Sequence, residues 1–404
     1  MRSFMRTLAI VVCALAVFIQ LTACGAPADQ GETETVQTET LPPADEAPVK
    51  NSGLVCVYYD GLWDKPLDMA EDDLKATDIV YYLSIYVQGD TTLQMSNDAL
   101  TPEHILQAKS VNPSLRVLAT LVGDNRGDKV GAREFANAVS TPDKRSELCS
   151  KIRKSLDYYG FDGVDINWEY PQNEADMANE VNFIRELRLA VNAGGLHRLI
   201  TAAVPATYYG FETHDLCGML PDVDFFNVMT YDFHINDTET LHHTAPYNDA
   251  TGKYADRGYS CAKTLEIFNE NGIPSEKIIL GCGLYTLEWK DVEEGGDHGF
   301  NSTGTRVFDR TYHYKDLKLL TEAGGFTRYW DAAAKAAWWY NAEARVFLTS
   351  DDDESVRAKA ELANLSNCAG VMLFSYFTFR GNTLLTSVRH WVDGDYTFPA
   401  AVEW

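Results

Sequence analysis

Asp165, Asn167 and Glu169 stand at every second position of the stretch Gly160-Phe161-Asp162-Gly163-Val164-Asp165-Ile166-Asn167-Trp168-Glu169-Tyr170-Pro171. On a β-strand, successive side chains point to opposite faces, so these three share one face while Val164, Ile166 and Trp168 share the other. Placing acids on an inward face is costly unless they are paired or needed. Carboxyl groups this close push one pKa up, so that one of them holds a proton near neutral pH, which a general acid requires. A row of solvated acids on an edge strand is the bland alternative. It leaves the apolar residues between the acids unexplained, and also the preceding Tyr158-Tyr159-Gly160-Phe161.

The elements that would position such a strand can be read from the apolar runs. Leu54 to Tyr59, Ile79 to Tyr86, Arg116 to Val122, Gly163 to Tyr170, Leu199 to Val204, Phe225 to Tyr231, Ile278 to Leu284 and Gly370 to Tyr376 are short and nearly continuous. Parallel strands buried on both faces have this character. Helical patterns separate them. Thr141 is an N-cap, Pro142 a first helical residue, Leu148, Ile152 and Leu156 one apolar stripe, and Gly160 a stop. Val181, Ile184, Leu187 and Val191 form another stripe, closed by Gly194-Gly195. Eight strands alternating with helices predict an α/β fold, a (β/α)8 TIM barrel. A doubly wound open sheet is the alternative, but no GxGxxG follows the first run, which weakens its dinucleotide-binding version. In a barrel the acid-bearing face points inward, and Glu169, the last of the three, reaches the C-terminal rim, where barrel active sites lie. The longest interval, Tyr285 to Ala369, is rich in Trp and Tyr. It predicts a small α+β insertion at about 286–348 between strands seven and eight, then a helix over 354–364.

The chain has 404 residues and a formal net charge of −25. Nucleic acid is excluded as an expected partner because phosphate binding needs a basic surface; a neutral glycan is compatible. Arg2 and Arg6, the apolar run Leu8 to Ile19 and Leu21-Thr22-Ala23-Cys24 together resemble a bacterial lipoprotein signal over 1–23, with Cys24 as the lipid anchor. An ordinary secretory signal with an incidental Cys24 is the other reading. Residues 24–52 are acidic and poor in apolar side chains, a flexible tether, and 53–404 form the domain. The expected location is thus outside the cytoplasmic membrane, held there by lipid. Of the eight Cys, none forms a CxxC pair, so no metal site is expected. Cys56, Cys282 and Cys368 are read as buried thiols; disulfides are possible in a secreted chain, but sequence does not pair them. No cofactor is implied, and a monomer is expected.

The acid stretch resembles the DGxDxDxE signature of glycoside hydrolase family 18, the chitinases and endo-β-N-acetylglucosaminidases. Leu199 to Ala206 is similar to that family's fifth strand, Asn227-Val228-Met229-Thr230-Tyr231-Asp232 to its sixth-strand motif, and Ala245-Pro246 to the loop beyond. Phe326 to Asp331, Asp352 to Lys359 and Gly370 to Ser375 resemble the run into strand eight. The resemblance spans residues 53 to 395. It implies substrate-assisted cleavage of β-1,4-linked N-acetylglucosamine glycans, in which the sugar's own acetamido group attacks the anomeric carbon. Glu169 would protonate the leaving oxygen, Asn167 would stand where an Asp orients the acetamide, and Asp165 would lie behind it. Tyr231 would hydrogen-bond the acetamide. Asp232, Met229, Tyr58, Tyr82 and Phe374 are the further sugar-binding candidates.

Several positions depart from the family pattern. Asn167 carries no charge to offset an oxazolinium cation, a deficit of about 3 kcal/mol by analogy with other electrostatic stabilisers. The third strand, Thr120 to Asp124, lacks the usual glycine pair and Trp. Phe374 replaces a frequent Trp, and Thr286-Leu287 a Gly-Arg. A hydrolase and a non-catalytic glycan-binding protein on the same barrel are therefore the competing expectations. A purely structural surface lipoprotein would lack the inward acid cluster.

Overall fold

The computed structural model describes residues 52–61, 66–96, 99–123, 130–247, 259–308 and 312–402. The signal segment, nearly all of the tether with Cys24, and Asp124 lie outside them. Among the described residues eight parallel strands close into a barrel: β1 (Leu54–Asp60), β2 (Ile79–Val87), β3 (Arg116–Gly123), β4 (Gly163–Trp168), β5 (Leu199–Pro205), β6 (Phe225–Met229), β7 (Ile278–Gly283) and β8 (Gly370–Phe374). Each pairs with the next, and β8 pairs back onto β1, so the open-sheet alternative is ruled out. A short strand, Leu93–Met95, adds antiparallel to the end of β2.

The strands read as continuous apolar runs because both their faces are covered. Val57, Tyr59, Val80, Tyr82, Leu121, Val164, Ile166 and Trp168 face the surrounding helices. Cys56, Tyr58, Tyr81, Leu118, Val122, Phe225, Ile279 and Met372 fill the interior. The helix before β4 spans Pro142–Tyr159; Thr141 accepts from the Lys144 amide at its start, and Gly160 at φ 79° ends it. That left-handed turn suits glycine and brings the chain straight into β4. The helix after β4, Glu174–Val191, is capped by Asn173 and buries Val181, Ile184, Leu187 and Val191.

Between β7 and β8 the chain builds a five-stranded antiparallel sheet from Leu287–Lys290, Thr305–Val307, Thr327–Asp331, Ala336–Asn341 and Val346–Ser350. The helix Tyr314–Ala323 covers one face through Leu317, against Trp339 and Leu348. The other face packs Leu287, Trp289, Trp338 and Phe347 on Leu241, Tyr285 and Phe300, a cluster that reaches Tyr231 and Phe374. The insertion thus abuts the barrel rim. The helix Asp353–Leu365 then returns the chain to β8. Cys56, Cys149, Cys261, Cys282 and Cys368 are buried free thiols and Cys217 is an exposed one. Burial pushes Cys56 and Cys282 well above the ordinary thiol range, so they behave as small apolar groups. Among the described residues no helix is long and apolar enough to cross a membrane.

Candidate active site

Asp165 is fully buried at the centre of the barrel. Register places Thr120 of β3 and Thr201 of β5 beside it. Its carboxylate accepts from the Tyr58 hydroxyl at 2.9 Å, the Thr201 hydroxyl at 2.6 Å and the Asn227 amide at 3.0 Å. Asn227 in turn donates to the Tyr58 oxygen at 3.2 Å and accepts from the Tyr81 hydroxyl at 2.9 Å. These contacts join β1, β2, β4, β5 and β6 in one polar layer. Burial pushes the Asp165 pKa up to about 6, while its hydrogen-bond donors pull the other way. The cause is desolvation rather than a neighbouring carboxylate.

Asn167 lies two residues nearer the rim on the same strand, with 8% of its surface exposed. Its Oδ1 is buried and has no hydrogen-bond partner among the described residues. A buried amide oxygen without a donor costs free energy unless a ligand supplies one. Glu169 follows β4 and is partly exposed; its amide donates to the Gly123 carbonyl at 2.9 Å, so β3 fixes its backbone. The peptide bonds Leu83–Ser84, Glu169–Tyr170 and Phe374–Ser375 are cis. Tyr170 shows how the rim groups converge. Burial raises its pKa first, and the neighbouring Glu169, Tyr209, Tyr231 and Asp232 add to the effect. Residues beyond β4, β5 and β6 therefore surround a common space.

Tyr231 and Asp232 follow β6. Gly281 and Gly283 of β7 make room for Tyr231: a Cβ on either would stand 2.8 or 2.9 Å from its atoms. The Tyr231 ring meets Phe374 at 6.0 Å and Tyr285 edge-on at 6.0 Å. Phe374 also meets Tyr58 at 5.6 Å. Tyr58, Met229, Tyr231 and Phe374 thus line the barrel's inner face together. Such a floor suits the apolar face of a pyranose ring, with the acids and amides at its edge.

Tyr82 is a correction. It lies on the outer face, stacked on Tyr59 at 6.0 Å and against Phe161 at 6.4 Å, away from the site. Its neighbour Tyr81 is the inward residue. One step along a strand exchanges the faces, and with both faces buried nothing in the composition distinguishes the two tyrosines. Sequence reasoning does not single out Tyr81, Thr201 or Asn227 as site residues. Asn227 stands two residues before Met229, as Asp165 does before Asn167, and that alternation is the available signal. Tyr209, half exposed beside Glu169, also escapes it; its pKa is raised by burial, then by the charges of Glu212 and Glu169. No cluster of His, Cys, Asp and Glu suited to a metal ion occurs among the described residues.

Residues 55–378 match the family described as Glycosyl hydrolases family 18. The chain belongs to that family. A relative, chitinase B of Serratia marcescens, is 26% identical over 381 residues, covering 80% of this chain and 70% of that protein. Chitinase A1 of Niallia circulans is 26% identical, covering 70% of this chain; the chain spans 43% of that protein's length. Among solved structures, a family 18 N-acetylglucosaminidase from Paenibacillus barengoltzii is 26% identical, covers 84% of this chain and 99% of its own, and has a TM-score of 0.73. A class V chitinase from Nicotiana tobaccum, solved as a mutant in complex with NAG4, is 18% identical with a TM-score of 0.74, covering 85% of this chain and 99% of its own, and shares the barrel fold.

Proposed function

We propose that the protein hydrolyses β-1,4-linked N-acetylglucosamine glycans, chitin oligomers or related sugars, by the substrate-assisted retaining route. The observation that carries this reading is the unpartnered, buried Oδ1 of Asn167 between the fully hydrogen-bonded Asp165 carboxylate and Glu169. It is an acceptor placed for an N–H, and a 2-acetamido group brings one. In this scheme the acetamido oxygen attacks C1 while Glu169 protonates the glycosidic oxygen, and the alcohol leaves. The remaining sugar is an oxazolinium ion. Water then attacks C1, gives its proton to the Glu169 carboxylate and reopens the ring with net retention. Tyr231 hydrogen-bonds the acetamide, Asp232 lines the sugar site, and Tyr58, Met229 and Phe374 form the floor. The chitinases and the N-acetylglucosaminidase similar to this chain support the substrate class.

Asn167 itself favours a second reading, a glycan-binding protein without turnover. It keeps the acetamide acceptor but supplies no charge that offsets the oxazolinium. Release of a chromophore from a chitobioside, set beside calorimetric titration with chitotriose, separates the two. Turnover with binding supports the hydrolase; binding without turnover supports the second reading; neither would overturn both.

We further propose that Cys24 is lipidated and tethers the domain, as a monomer, outside the cytoplasmic membrane. The small residues before Cys24 and the acidic tether after it support this. In a Cys24→Ala variant, palmitate labelling and membrane fractionation should be lost. Unchanged labelling and fractionation would refute the anchor.

A further inference from the structure

Strand β6 ends at Met229, and the next three residues turn sharply into the rim. Thr230 is held on one side. Its hydroxyl donates to the Gly281 carbonyl at 2.7 Å, and its own carbonyl accepts from Lys359 Nζ at 3.1 Å. Lys359 is fully buried and also donates to Gly281 O at 2.8 Å and Asp351 Oδ2 at 2.7 Å. Residue 230 is thereby tied to β7 and to the helix Asp353–Leu365. Asp232, two residues on, adopts φ 59°, a left-handed conformation that a non-glycine residue keeps only when its surroundings enforce it.

His243 supplies that enforcement. The Asp232 amide donates to His243 Nδ1 at 3.2 Å, and the Phe233 amide donates to the His243 carbonyl at 3.2 Å. His243 is fully buried, its ring packed against Tyr285 at 5.5 Å. An N–H aimed at Nδ1 requires a lone pair there, so the tautomer that accepts this bond is neutral and carries its proton on Nε2, a buried nitrogen with no hydrogen-bond partner among the described residues. The Asp232 carboxylate oxygen stands farther off, 3.5 Å from the same nitrogen. A proton on Nδ1 would serve that oxygen but would set two hydrogens against each other at the amide. Burial also lowers the His243 pKa, which agrees with the neutral ring.

We propose that His243, as the Nε2-protonated tautomer, is a positioning residue that fixes the backbone of Asp232 and so aims Asp232 and Tyr231 into the sugar site. The role in sugar binding rests on the function proposed above; the backbone role does not. Two variants separate acceptor position from side-chain volume. In His243→Asn the amide oxygen can occupy the place of Nδ1, whereas in His243→Gln it reaches the place of Nε2. Amide hydrogen exchange at Asp232 and calorimetric binding of chitotriose are measured for both variants and the native chain. His243→Gln should speed exchange at Asp232 and weaken chitotriose binding by about tenfold each, the scale of one hydrogen bond. His243→Asn should leave both within about threefold of the native chain. Adding His243→Gln to Asp232→Ala should weaken binding by less than His243→Gln does in the native chain, because only the share acting through Tyr231 remains; a general loss of stability would give equal losses. Unchanged Asp232 exchange in His243→Gln, or equal damage from Asn and Gln, would overturn the proposal. If the native chain binds no chitotriose, the glycan reading fails while the exchange result still decides the role of His243.

Discussion

Two neighbouring levels of the barrel interior differ in how their polar atoms are treated. At the level of Asp165 each carboxylate oxygen meets a donor, and the donors are themselves tied together through Asn227, Tyr58 and Tyr81. One step toward the rim, Asn167 keeps a buried oxygen that no described residue serves. In the lower layer the carboxylate itself is fully served, although the neighbouring Thr120 hydroxyl has no hydrogen-bond partner among the described residues. Location inside a barrel is common to both; what sets Asn167 apart is an unserved acceptor that also stands next to the rim.

Removing the acid at the rim should have the largest effect. Glu169→Gln keeps shape but has no transferable proton, so kcat on a chitobioside should fall by about 10²–10⁴ with chitotriose binding nearly unchanged. Steady-state kinetics and calorimetry check this, and an unchanged kcat would remove Glu169 from its role. A change in the lower layer should act on stability instead. The Asp165 pKa is raised to about 6, so the folded chain holds that proton more tightly than the unfolded one does. The associated stability is fully present below the unfolded pKa, near 4, and is lost as pH rises toward 6. Asp165→Asn mimics the protonated form. Its stability relative to the native chain should therefore improve on going from pH 4 to pH 8, by on the order of 2–3 kcal/mol at most. Denaturant titrations at the two pH values measure it, and a difference independent of pH would contradict the burial argument.

Much of this architecture is legible in the sequence because parallel barrel strands are continuous apolar runs, and all eight strands begin where those runs begin. Their ends are less legible. The runs through Tyr170, Tyr231 and Tyr376 continue past the last residue of β4, β6 and β8. The aromatic pattern persists there although strand pairing has stopped: Tyr170 and Tyr231 lie at the rim, while Tyr376 packs outward on Tyr59 and donates to Asp73. Asp165, Asn167 and Glu169 stand out because an acid between apolar neighbours is conspicuous. Thr201, Asn227 and His243 do not, since their importance comes from cross-strand register and from tertiary contacts. The Tyr81–Tyr82 exchange has the same origin: alternation indicates which residues share a face, but not which face is inside.

The central claim, that the Asn167 position meets an acetamido group that itself does the chemistry, is tested most directly by one comparison of kcat. Native chain and Asn167→Asp are each assayed on a chromogenic chitobioside and on the matching cellobioside, whose 2-hydroxyl cannot form an oxazolinium. A charge at 167 offsets a cation that exists only along the reaction path, so it should raise kcat more than affinity. The account predicts a gain of about ten- to a thousandfold on the chitobioside and none on the cellobioside. An equal gain on both substrates would contradict it.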